Sequence, residues 1–143
     1  MLTLPNYLLR DSDFTKWLSS REGRVWMVLM GCVNNYTNDE ELNVKFFKKN
    51  KIAVRVSIYN LNKMLGYKSS DKSNVSKIIK NLTKRKIIIK HQQQDGDISS
   101  PSVFEVGYLS AEDKSEVPYV VDIFRKSIAN KNIESLNFDG FVK

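Results

Sequence analysis

At 143 residues with 41% apolar side chains, the chain is long enough for one ordinary hydrophobic core and too short for two, so a single domain with short additions at its ends is expected. No apolar run approaches the roughly 20 residues of a membrane-spanning helix, the opening residues lack the basic-then-apolar order of a secretory signal, and Cys32, alone, excludes an intrachain disulfide and fits a reducing cytoplasm. The net charge of +7 is unevenly placed: residues 45–90 hold 14 Lys and Arg against one acid, Asp71, and the remainder holds 9 against 15, a segregation that points to a polyanionic partner, nucleic acid first.

Residues 5–10 read as an extended lead-in, after which Asp11 or Ser12 caps a short helix bearing Phe14, Trp17 and Leu18. A wide apolar stripe over 20–36 (Val25, Val28, Leu29, Cys32, Val33 and Tyr36, broadened by Trp26 and Met30) predicts a central core helix. Residues 39–50 are polar and read as a loop. Ile52, Val54 and Val56 then alternate with Lys51, Ala53 and Arg55, as in a half-exposed strand over 51–57. Ser57 caps a two-turn helix with Ile58, Leu61, Met64 and Leu65 inward, and Gly66 stops it.

Beyond a polar turn, Ser70 or Asp71 caps a longer helix over 72–86 that buries Val75, Ile78, Ile79 and Leu82. Ile87, Ile88 and Ile89 open a strand running through His91 and Gln92, Asp95-Gly96-Asp97 signals a hairpin turn, and the return strand lies near 102–109 with Pro101 at its start. A final helix starts at Pro118 with Val121, Phe124, Arg125 and Ile128 down one side, equally suited to completing the core or to zipping two protomers.

The fold class expected from this order is α+β, mainly α: a winged helix-turn-helix with a small antiparallel hairpin wing over 1–115, and an added C-terminal helix and tail over 116–143 as a possible dimerisation element. In such a fold the longer helix enters the major groove of duplex DNA. Its outward face carries Ser73, Asn74, Lys77, Lys80, Asn81 and Lys84 and no acid. Ser73, Asn74 and Lys77 are the candidates for base edges, and Lys80, Lys84, Arg85 and Lys86 for phosphates, with Ser76 on the same helix. Arg55, Lys63, Lys68 and Lys72 extend the track, and Lys90 and Gln92 supply the wing, whose tip acids Asp95 and Asp97 would be repelled by phosphate.

Several of these segments carry a family resemblance: Leu4-Pro5-Asn6-Tyr7-Leu8-Leu9, Arg21-Glu22-Gly23-Arg24-Val25-Trp26, Val56-Ser57-Ile58-Tyr59-Asn60-Leu61, Asn74-Val75-Ser76-Lys77-Ile78-Ile79-Lys80-Asn81-Leu82 and Lys86-Ile87-Ile88. Over residues 4–90 the chain resembles the N-terminal winged-helix domain of phage and plasmid replication initiators of the replication-protein-O type. It departs in having Asn62-Lys63-Met64 where that family has alanine, and the two-helix pattern also resembles regulators of the antibiotic-resistance repressor type. The resemblance implies duplex DNA as partner.

Transcription regulation, replication and plasmid partition all use such a reader, each commonly as a homodimer. A second class of reading is a small basic adaptor that binds a protein partner through the final helix and DNA only non-specifically. No enzyme, metal or cofactor is expected, because His91 is the only histidine and no glycine-rich phosphate loop is present.

Overall fold

The computed structural model describes residue 4 and residues 6–33, 39–68, 72–92, 101–112 and 115–130. The early helices begin where a side chain supplies the hydrogen-bond acceptor that a first turn lacks. After α1 (Asn6–Leu9), the Asp11 carboxylate accepts from the backbone N–H groups of Asp13 and Phe14 and starts α2 (Ser12–Leu18). The Ser20 hydroxyl accepts from Gly23 N–H and starts α3 (Arg21–Gly31). That core helix ends at Gly31 with Cys32 as its cap, short of the expected 36, while residues 34–38 lie outside the described set.

The expected loop over 39–50 contains a helix, α4 (Glu40–Lys45), and a 3₁₀ turn (Phe47–Lys49). Asp39 caps α4 by accepting from Leu42 N–H, and Leu42 and Phe46 pack with Ala53 and Val103 into a small second apolar cluster. Asn50 ends the turn at φ 62, a left-handed conformation that asparagine tolerates, and delivers the chain into β1 (Lys51–Val56).

The sheet is built around β3 (Ser102–Leu109). β1 runs antiparallel along one edge, from Lys51 opposite Tyr108 to Val56 opposite Ser102. The other edge is shared by β2 (Ile89–Gln92), which pairs Ile89 with Glu105, and by β4 (Glu116–Pro118), which pairs Pro118 with Gly107. Because α4 covers the outer face, β1 is not half-exposed as its alternation suggests: Ala53 is buried as well as Ile52, Val54 and Val56. Pro118 ends β4 rather than opening the last helix, α7 (Tyr119–Asn130).

One main core unites these elements. Phe14 and Trp17 meet Phe124 of α7, with the Phe14 and Phe124 rings edge-on at 5.1 Å, and Trp26 packs on Phe14 and Trp17. Val120 and Val121 join the same core, so Val121 and Phe124 are buried within the chain's own fold. The side chain of Ile128, the hairpin turn at 95–97 and the tail beyond 130 lie outside the described residues. Among the described residues, no helix is long and apolar enough to cross a membrane.

Candidate nucleic-acid interface

The helix-turn-helix is set by two chain reversals of one type. α5 (Ile58–Met64) is capped by the Ser57 hydroxyl, which accepts from Asn60 N–H. It closes with Gly66 at φ 73, where Gly66 N–H reaches the Lys63 carbonyl and Tyr67 N–H the Asn62 carbonyl, a Schellman reversal. Asn62 is buried, and its amide donates to the Lys68 carbonyl at 3.1 Å, pinning the turn. Met64, expected inward, is 50% exposed, because the helix turns its Asn62 side to the protein.

α6 (Lys72–Lys84) buries Val75, Ile78, Ile79 and Leu82, as its periodicity predicts. It ends in a second Schellman reversal. Lys86 N–H reaches the Thr83 carbonyl, Ile87 N–H the Leu82 carbonyl, and Lys86 takes the left-handed position at φ 61 that glycine usually fills. Ile87 and Ile88 are then fully buried and lead into β2 at the base of the wing.

With that face committed to the core, Lys77, Lys80, Asn81 and Lys84 are exposed along α6, Lys86 is exposed at its exit, and Asn74 and Ser76 are half-buried beside them. The Lys90 ammonium on β2 is held below its ordinary value by burial and then by the nearby Lys80 charge, so helix and wing share one field of positive potential. Lys63 is exposed on α5 with its ammonium 5.5 Å from the centre of the Tyr59 ring, and Lys68 is exposed in the turn. The side chains of Lys72, Ser73 and Gln92 lie outside the described residues.

Two arginines of the expected track are directed to carboxylates. Arg55 meets Asp39 at 2.7 Å and Glu41 at 3.5 Å, both at the start of α4, and its hydrogen bond holds Asp39 below the usual carboxylate value. Arg85 places one guanidinium nitrogen 3.0 and 2.8 Å from the two oxygens of Glu22, a buried acid in the first turn of α3. His91 also turns to the protein, with its Nε2 2.9 Å from Glu105 and its ring edge-on to Phe46 at 4.9 Å. Glu105 further accepts from the Tyr119 hydroxyl and meets Lys51 at 3.5 Å, which ties β1, β2 and α7 to the central strand.

Glu22 and Glu105 have no signal in the sequence. Each is a single acid whose partner lies on a distant element: 63 residues away for Arg85, and 14 residues to either side for His91 and Tyr119.

No curated protein and no solved structure gives a significant match. The family model of the initiator replication protein, WH1, matches residues 4–132, which takes in every described element. A winged helix with a basic, acid-free second helix and a match of that extent lead to one conclusion: the chain belongs to the initiator replication protein family, as its WH1 winged-helix domain.

Proposed function

We propose that the chain binds duplex DNA with α6 in the major groove and acts there in the initiation of replication. The observation that carries this reading is the outward face of α6, where Lys77, Lys80 and Lys84 project from a helix whose opposite side is fully committed to the core. In this reading Asn74 and Lys77, near the start of the helix, meet base edges, and Lys80, Lys84 and Lys86 meet phosphates on either side of the groove. Lys90 extends the same track onto the wing, and Lys63 and Lys68 onto the preceding helix and turn. Arg55 is left out of this set because its guanidinium already has two carboxylate partners.

Replication is favoured over transcription regulation and partition because the family match covers the whole fold and not the two-helix motif alone. Binding should weaken as salt rises, since each phosphate that a lysine neutralises releases a counterion. Replacing Lys77, Lys80 and Lys84 together by Ala should flatten the plot of log affinity against log salt by about 0.9 for each phosphate left without its lysine. An unchanged slope and affinity would remove α6 from the interface. Footprinting on the DNA adjoining the chain's own gene separates the roles: protected repeats support initiation, and a protected promoter alone supports regulation.

A further inference from the structure

The Glu22–Arg85 pair is a polar link between the recognition helix and the body of the domain. Glu22 is 5% exposed and sits in the first turn of α3, where Gly23 lets the helix press against the α2 backbone. Arg85 follows α6 immediately, its N–H bonded to the Asn81 carbonyl, so the guanidinium anchors the last turn of that helix. Asn81, on the DNA-facing side, and Trp17 lie beside the same carboxylate and favour its charged form against the effect of burial. The Arg85 charge favours that form more strongly than either of them.

We infer that Glu22 is a positioning residue for DNA reading: by holding Arg85 against α3 it sets the pitch of α6, and Arg85 serves this latch instead of meeting phosphate. One guanidinium nitrogen of Arg85 lies between the two oxygens of Glu22 at 2.8 and 3.0 Å, a charge-assisted contact that holds the end of α6 at a fixed distance from α3. A helix entering the groove presents its side chains correctly only at one tilt. A latch at its exit moves Asn74 and Lys77, near its start, by leverage. The inference rests on the reading of α6 as the recognition helix.

The experiment measures duplex affinity across a salt series for the full chain, using DNA adjoining its gene, with melting curves to confirm that each variant is folded at the assay temperature. Arg85→Ala and Glu22→Gln should each weaken binding about tenfold, the size of one base-edge interaction, with the salt slope unchanged. The double variant should bind no worse than the weaker single, because both remove the same latch. Arg85→Lys, whose single nitrogen can still meet the Glu22 carboxylate, should bind more tightly than Arg85→Ala, again with the salt slope of the parent chain. The inference is overturned if Arg85→Ala flattens the slope by about 0.9 and Arg85→Lys restores it, since that is the behaviour of a phosphate ligand. It is equally overturned if Glu22→Gln tightens binding, which would make Glu22 only a repelling charge. A wild-type chain that shows no salt-dependent retention on duplex DNA would sink the DNA reading itself, and this assignment with it.

Discussion

Lys86 illustrates how much a single backbone angle contributes to this domain. Its φ of 61 is required by the reversal that carries α6 into the wing, and a side chain in the left-handed region costs roughly 1–2 kcal/mol that glycine avoids. Lys86→Gly should therefore stabilise the free protein by about 1 kcal/mol, read as a higher melting temperature. The same variant should bind DNA with a flatter salt dependence, since the exposed ammonium is removed. A melting temperature that falls would show that the Lys86 side chain gives the fold more than its backbone strain takes.

Two of the buried carboxylates, Glu105 and Glu22, respond to pH with opposite signs. For Glu105, burial raises the carboxyl, but the Tyr119 hydroxyl, His91 and Lys51 outweigh it and leave the group below its ordinary 4.5. Its charged form therefore supports the fold above 4.5, and that support is lost as pH falls through the lowered folded value. For Glu22, burial outweighs Arg85, Trp17 and Asn81 and leaves the group above 4.5. Its charged form therefore weighs against the fold, by an amount relieved as pH falls through the raised value. Melting followed from neutral to acid pH should show Glu105→Gln lowering stability at neutral pH and flattening the acid limb, whereas Glu22→Gln leaves neutral stability nearly unchanged. Equal effects from the two variants would contradict this assignment of signs.

At the scale of elements, strong periodicity translates directly into structure. The apolar positions of α6, the span of β3 and the caps Asp11, Ser20 and Ser57 are all where local physics puts them. α4 is hidden in the sequence because only Leu42 and Phe46 face inward, and two apolar side chains in a polar stretch make no period. Its capping signal is nevertheless present, in Asp39 followed by Glu40 and Glu41. Gly23 carries a sharper consequence: a Cβ there would stand 2.1 Å from the Trp17 carbonyl oxygen and 2.6 Å from the Leu18 Cα, both backbone atoms that cannot swing away. Gly23→Ala should destabilise the domain by about 1–3 kcal/mol in chemical denaturation, by forcing α2 off α3. A loss of only a few tenths would mean that the two helices separate easily.

At the scale of the molecule, the C-terminal helix is part of the fold. Phe124 is 2% exposed and edge-packed on Phe14, so Phe124→Ala should cost about 3–5 kcal/mol. Sedimentation of the remaining folded fraction should show the same oligomeric state as the parent chain, because this side chain packs into its own core. A change of oligomeric state at unchanged stability would instead return α7 to the role of a zipper.

The amino-acid order by itself determined α2, α3, β1, the helix-turn-helix, β2, β3, α7 and the concentration of positive charge on residues 45–90, because each follows from periodicity, caps and composition over short distances, whereas α1, read as an extended lead-in, α4 and β4 do not. Tertiary structure alone decided which of the basic groups are drawn to acids of the same chain. Lys77, Lys80 and Lys84 remain on the surface, while Arg55 and Arg85 are drawn to acids on α4 and α3. The reason is physical: a cation's partner is set by what packs beside it, and the acids that hold these two arginines come from elements 16 and 63 residues away along the chain.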